Sequence, residues 1–226
     1  MDYTVAMQRA IALSEKGLGK CAPNPIVGAV IIDASEKING TGFHDRMTSK
    51  DHAEVVAIRS AGDLAKGATM VVTLEPCNHT GSTGPCTQAI IDAGISTVVF
   101  AVKDPNAVAA GGADALRAAG IKVLDGILAK EAAYANRAWL TKIEKSRPYF
   151  IWKVATTLDA KIAASDGTSK WISNEVSRSD VQRLRRESDA ILVGTNTVIS
   201  DNPHLIPRGE FSGYTHNPIR VIFGES

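Results

Sequence analysis

The chain is short of cysteine, of unbalanced charge and of long apolar runs, and each shortage excludes something. Three cysteines in 226 residues cannot make a disulfide framework. In a chain without an export signal such thiols stay reduced and can serve a metal. The N-terminus, Met1 to Gln8, lacks a basic segment followed by an apolar core, so no signal peptide is expected and the cytoplasm is the expected compartment. A formal net charge of +1 leaves no basic footprint for nucleic acid. No apolar run approaches the ~20 residues of a membrane span, so no membrane partner is expected. No internal repeat or low-complexity tract is evident. What remains, 44% hydrophobic and 22% charged residues, is ordinary for a globular protein, long enough for one full domain and part of another.

What the chain does have is a set of metal donors. Thr73-Leu-Glu-Pro-Cys77 is followed by Pro85-Cys86, with eight residues between the cysteines, and His52-Ala-Glu54 lies upstream. One His and two Cys can hold a zinc with the fourth position open, whereas structural zinc is normally closed by four protein ligands. A glutamate two residues past the ligand His is the proton carrier in zinc deaminases, whose signature is H-x-E followed by P-C…C. Zinc lowers the pKa of water to about 7. The resulting hydroxide attacks the ring carbon that bears an exocyclic amine, and Glu54 carries the protons to the ring nitrogen and the departing ammonia. H-A-E alone is a weak signal and P-C-x8-C is only somewhat better; in this order they are strong together. A structural zinc and a swap of His79 for His52 stay open as alternatives, although His79 is better suited to shaping the pocket mouth.

Apolar spacing predicts a helix over 3–17 stopped by Gly17, a buried strand over 26–32 and a return strand over 38–43. A helix is expected over 52–61, and His52 and Glu54 can share one site only at its first turn. A strand over 68–74 delivers the metal loop, and Pro85 opens a helix over 86–93. A strand over 97–102, a helix over 114–119, a strand over 121–124 and a helix over 128–139 follow. The alternation means an α/β sandwich around one sheet. Residues 141–148 read as a charged linker, and a second α/β run starts at Tyr149, with a basic helix over 176–186 and strands over 190–193 and 219–223. Cys21 reads as a partly buried thiol. Asn24, between two prolines, is either a turn residue or an amide aimed at a pyrimidine-like edge, since it offers both donor and acceptor.

These motifs resemble the bifunctional deaminase/reductase family of riboflavin biosynthesis over essentially the whole chain. They are Pro23-Asn-Pro-Ile-Val-Gly28, Gly42-Phe-His44, His52-Ala-Glu54, Thr73 to Cys77 with Cys86, and Asp104-Pro-Asn106. The second half contributes Lys153, Leu158-Asp159, Ser169 to Ile172, Leu184-Arg185, Asp189 to Gly194, and Thr197-Val198 with Asp201 to Pro203. The eight-residue cysteine spacing is the specific part; cytidine-, guanine- and tRNA-type deaminases have two residues there. The resemblance implies α/β architecture throughout: a cytidine-deaminase-like α/β/α sandwich over 1–145, then a partial dihydrofolate-reductase-like domain over 146–226. It implies zinc on His52, Cys77 and Cys86, Glu54 as the catalytic proton shuttle, and Asn24 and His44 as substrate contacts. In the second half, Ser169, Arg185, Leu205 and Arg208 match substrate-contacting positions, and Ala155, Trp171, Thr197 and Asp201 match positions lining an NADPH site.

The implied reaction is deamination of 2,5-diamino-6-ribosylamino-4(3H)-pyrimidinone 5′-phosphate, followed by NADPH-dependent reduction of the ribose. The sequence also departs from the family. Ser82 stands where a Lys or Arg is usual, one extra residue separates His44 from His52, and Ala160 replaces a turn Gly. The reductase half stops short of the Gly-rich segment that cradles NADPH phosphates. Its unfinished sheet edge points to a second copy of the chain as partner. Two rival readings are a deaminase of another nucleobase or nucleotide, and a zinc-stapled scaffold without activity.

Overall fold

Strands made of small and β-branched residues and buried on both faces need helices on both sides. Gly28–Ile32 is such a run and Thr69–Leu74 is largely β-branched, and every residue in both is buried. The computed structural model describes residues 2–81, 83–212 and 217–224, which fall into two units, Met1–Tyr149 and Phe150–Ser226.

The first unit runs α1 (Thr4–Ser14), β1 (Gly28–Ile32), β2 (Ile38–Phe43), α2 (Ala53–Ala61), β3 (Thr69–Leu74), α3 (Cys86–Asp92), β4 (Thr97–Val102), α4 (Gly112–Ala118), β5 (Lys122–Asp125), α5 (Ala129–Ala135) and α6 (Arg137–Lys145). Its sheet has the order β2-β1-β3-β4-β5; β1 is antiparallel to β2 and β3, while β3, β4 and β5 are parallel. The period of two along each strand sorts the core into two layers. Ala29, Ile31, Met70, Val72, Val98 and Phe100 pack with Ala53 and Ala57 of α2, Ile90 of α3 and Leu116 of α4. Val30, Ile32, Val71, Val99 and Ala101 pack with Met7, Ala10 and Leu13 of α1 and Ala132 of α5. The result is the three-layer α/β/α sandwich expected from the sequence.

α2 lies almost on the backbone of β2. A Cβ on Gly42 would stand 2.2 Å from the Ala53 carbonyl oxygen. That approach fixes the N-terminus of α2, and with it His52, against the sheet. The metal loop leaves the carboxyl end of β3, the side of a parallel sheet where ligands bind.

One expected helix is divided. The apolar pattern predicts a helix over 128–139, yet α5 ends at Ala135 and α6 starts at Arg137, with Asn136 between them at φ −92°, ψ 13°. α6 runs on to Lys145, so the start of the predicted linker is helical. Leu140 is the buried residue of α6, and a helix that fully buries a single side chain reads in sequence as an apolar-poor connector.

The second unit contains α7 (Glu175–Glu187), β6 (Ala190–Gly194), α8 (Thr195–Asp201) and β7 (Ile219–Phe223). Asn174 caps α7 by accepting from the Ser177 amide at 2.9 Å, the usual service of an Asn N-cap. β6 and β7 pair in parallel with Ala190 opposite Ile219 and Gly194 opposite Phe223. All five β7 residues are exposed, and Leu205, Pro207 and Pro218 are the buried apolar residues among those described in this unit. No helix among the described residues is long and apolar enough to cross a membrane.

Candidate metal centre

His52 is the N-cap of α2, with extended backbone at φ −75°, ψ 163°. Its ring therefore leaves the chain before the helical twist begins. That lets Glu54, in the first turn, share the same site, although residues two apart on a regular helix diverge by roughly 200°. Cys77 follows the end of β3, and Cys86 opens α3 directly after Pro85. His52 Nδ1 lies 3.2 Å from Cys86 Sγ and 3.6 Å from Cys77 Sγ. All three donor atoms lie within 4.8 Å of one another.

The donor set fits zinc. With Zn–S near ~2.3 Å and Zn–N near ~2.0 Å, a tetrahedral ion needs donor separations of roughly 3.5–3.8 Å, close to those found. His52, Cys77 and Cys86 are the group of His, Cys and carboxylate donors that converges in this way among the described residues, and they leave the fourth corner of the tetrahedron without a protein ligand. His79 is not one of the converging donors. It is half-buried, and its Nδ1 is buried without a hydrogen-bond partner.

In the metal-free cluster protons hold positions that a bound cation would take. The neighbouring Cys86 thiol, and then the His52 ring, hold the Cys77 thiol well below the usual thiol range. Cys86, facing that thiolate and buried, is pushed far up, so one proton sits between two sulfurs until a cation displaces it. His52 is raised, first by its contact with Cys77. Glu54 is 4% exposed. Its carboxyl is raised by burial, opposed by the His52 charge, and it reaches the Cys86 thiol. A buried carboxyl with a raised pKa, aimed at the donor cluster, is suited to carrying a proton.

A second group of residues lies beside the donors. His44 is 3% exposed, and its ring packs edge-on to His52 at 5.2 Å. His44 Nδ1 lies 2.9 Å from the Asp51 carbonyl. A carbonyl only accepts, so Nδ1 carries the proton and Nε2 accepts from Asn24 Nδ2 at 3.3 Å. Burial lowers the His44 pKa, which keeps the ring neutral. Asn24 is therefore held by His44 and still has its amide oxygen and second amide hydrogen for a ligand.

Cys21, read from the sequence as a partly buried thiol, joins these two residues. Its Sγ donates to the His44 carbonyl at 2.8 Å, and its carbonyl accepts from the Asn24 amide at 2.8 Å. Burial pushes the Cys21 thiol up to about 12. Both bonds run through backbone groups, so no residue pattern in the sequence announces them. With zinc bound, alkylation at pH 8 should leave all three cysteines unmodified. After chelation Cys77 should react first while Cys21 stays unmodified, as read by peptide mass. Labelling of Cys21 ahead of Cys77 would contradict this proton distribution.

Ser82 lies outside the described residues. In the second unit, Ser169 and Trp171 line a cavity of about 690 Å3 together with Thr157, Asp159, Lys161 and Lys170. Ala155, Thr197 and Asp201 do not line that cavity. Arg185 reaches the Ile206 carbonyl at 3.4 Å, and its pKa is lowered by burial and by neighbouring Arg208. The Arg208 amide donates to Gln182 Oε1 at 3.1 Å, and Leu205 is buried with φ at 55°. Arg183 is bound on both sides, by Asp180 at 2.7 Å and Glu187 at 2.8 Å.

Comparison with known proteins agrees with this geometry. Residues 2–102 match the family described as the cytidine and deoxycytidylate deaminase zinc-binding region, and residues 148–226 match the RibD C-terminal domain. The chain is 49% identical over 222 residues to the riboflavin biosynthesis protein RibD of Mycobacterium tuberculosis, covering 97% of this chain and 65% of the relative. It is 48% identical to RibD of Aquifex aeolicus, covering 96% of this chain and 60% of the relative. Its fold superposes with a TM-score of 0.88, at 45% identity, on the diaminohydroxyphosphoribosylaminopyrimidine deaminase/5-amino-6-(5-phosphoribosylamino)uracil reductase of Thermotoga maritima, covering 97% of this chain and 62% of that one. The chain thus spans a little under two thirds of the length of these relatives. Its first unit has the cytidine-deaminase-like fold and its second a reductase-like fold, and over nearly its whole length the chain is similar to the RibD riboflavin biosynthesis proteins.

Proposed function

We propose that the first unit is a zinc-dependent hydrolase that deaminates 2,5-diamino-6-ribosylamino-4(3H)-pyrimidinone 5′-phosphate to 5-amino-6-ribosylaminouracil 5′-phosphate and ammonia. The observation that carries the reading is Glu54: a buried carboxyl with a raised pKa, in contact with Cys86, beside three donors that leave a fourth position open. A scaffold has no use for such a carboxyl. When bound by His52, Cys77 and Cys86, zinc supplies the Lewis acidity that makes water nucleophilic at neutral pH. Glu54 would accept one proton from that water and pass it to the pyrimidine ring nitrogen, then take the second from the added hydroxyl and pass it to the amine, which leaves as ammonia while the carbonyl forms. Neutral His44 holds Asn24, whose free amide groups meet the pyrimidine edge. The second unit contributes Ser169, Arg185, Leu205 and Arg208 toward the sugar phosphate and Ala155, Trp171, Thr197 and Asp201 toward NADPH. Support there comes from the RibD C-terminal domain match; the reaction argued here runs through the first unit alone.

We place the chain in the cytoplasm, because its three cysteines are all free and two of them must stay reduced to hold a metal. A homodimer is the assembly best suited to the paired strands β6 and β7, which form a sheet of their own, since a two-stranded sheet is marginal without further cover. The zinc-loaded chain should release ammonia from the diaminopyrimidine nucleotide. A chelator should stop the release and added zinc restore it, while cytidine, dCMP and guanine should yield none. A zinc-loaded chain that releases no ammonia would sink the reading, and release from cytidine instead would move it to another base.

A further inference from the structure

The proposed substrate loop is tied down from a place no catalytic motif reaches. Between Cys21 and β1 the loop has two prolines, Pro23 and Pro25, which lack an N–H, and one intervening amide, that of Asn24, which bonds back to the Cys21 carbonyl at 2.8 Å. Ile26, two residues past Asn24, is 6% exposed, so both its backbone polar groups need partners. A single side chain supplies both. Asn136 Oδ1 accepts from the Ile26 amide at 3.0 Å, and Asn136 Nδ2 donates to the Ile26 carbonyl at 2.6 Å. The amide group acts as a one-residue strand partner across 110 positions of sequence. Asn136 is itself 6% exposed. Its own backbone is fixed by bonds to Ala132 of α5 at 3.1 Å and Leu140 of α6 at 3.0 Å.

The residue type is demanded by this geometry. Alanine would leave a buried N–H and a buried C=O unpaired. Aspartate has the same shape and keeps the acceptor, but sets a carboxylate oxygen against the Ile26 carbonyl. Glutamine adds a methylene in a buried corner. The division of α5 from α6 at Asn136 is the conformation that aims this amide at the loop.

We infer that Asn136 is a positioning residue for Asn24: by holding Ile26 it sets where the Asn24 amide stands beside His44, and so governs substrate binding. This rests on the deaminase reading above. The test compares ammonia release by the zinc-loaded parent chain, Asn24→Ala, Asn136→Ala, Asn136→Asp and the Asn24→Ala/Asn136→Ala double variant. Loss of positioning should raise KM by roughly 10-fold with kcat within about threefold of the parent. In the Asn24→Ala background the second change should add less than about twofold, because both act through one contact. Zinc content and melting temperature are recorded for each variant.

A KM equal to that of the parent in both Asn136 variants overturns the inference. So do KM effects that multiply in the double variant, or a kcat that falls as far as KM rises. Should both Asn136 variants fail to fold, amide exchange in the parent decides: an Ile26 amide protected like those of β1 supports the clamp, and one that exchanges like an exposed loop amide overturns it. A parent chain that releases no ammonia overturns the deaminase reading and this inference with it, whereas an active parent with a multiplicative cycle overturns this inference alone.

Discussion

Glu54→Gln is expected to lower ammonia release by roughly 10²–10⁴-fold, the span general acid–base catalysis supplies, while leaving the zinc content of the protein unchanged. Glutamine keeps the shape and the hydrogen-bonding capacity of the side chain but cannot take up or give back a proton. The three donors His52, Cys77 and Cys86 stay in place, so metal binding gives the control. The sign of the stability change gives a second one. Burial raises the Glu54 pKa, so the folded state binds this proton more tightly than the unfolded chain does. The resulting penalty is absent below the unfolded value of about 4.5 and grows as pH rises through the folded value. Metal-free Glu54→Gln should therefore melt higher than the metal-free parent at pH 8, with the advantage fading toward pH 4.5. Parent-like ammonia release by a zinc-replete Glu54→Gln chain would remove Glu54 from the chemistry.

The parts of this structure that were legible in the sequence share one property: their signal is local. The strand Gly28–Ile32 is made of small and β-branched residues, so its burial could be read directly. His52 and Glu54 sit two apart at a helix start, and Cys77 and Cys86 each follow a proline; these local patterns mark the donors, although the fold brings His52 to Cys77 and Cys86 across 25 and 34 residues. What could not be read depends on backbone groups or on long separations. Cys21 joins Asn24 to His44 through two carbonyls, and a carbonyl has no letter in the sequence. Asn136 meets Ile26 across 110 residues, and the break it makes between α5 and α6 leaves the apolar spacing of 128–139 intact, so the pattern continues where the helix does not. Charge misled in the same way at α6, whose exposed surface made a helix look like a connector. Glu75 shows the same limit: its carboxylate accepts from the amides of Asp104 at 3.2 Å and Ala113 at 2.9 Å, joining two loops whose neighbourhood no spacing reveals.

That junction gives Gly112→Ala a large structural consequence. Gly112 opens α4, and a Cβ there would stand 1.7 Å from the Pro76 carbonyl oxygen and 2.9 Å from its carbon. Neither atom can yield freely, because Pro76 lies between Glu75, which holds Asp104 and Ala113, and Cys77, whose thiol belongs to the donor set. The Asn78 amide is bonded to the Ala109 carbonyl at 3.2 Å, and Ala109 packs against Cys77 and Cys86. A methyl group at position 112 is thus a wedge between two loops bonded on either side of it, and the loop that moves carries a ligand. Overpacking of this kind costs about 1–3 kcal/mol, and displaced support around a metal ligand typically lowers metal affinity by ~10–100-fold. Both losses are expected, read as a lower melting temperature of the metal-free chain and a weaker zinc affinity in competition with a chromophoric chelator. Gly111→Ala separates the wedge from mere loss of a glycine. Gly111 has φ +91° and nothing within 4 Å of its Cβ position, so alanine there is strained by roughly 1–2 kcal/mol without pushing on Pro76. It should lower the melting temperature and leave zinc affinity at the parent value. Equal zinc affinity in Gly112→Ala and Gly111→Ala would show that the Pro76 contact does not set the position of Cys77.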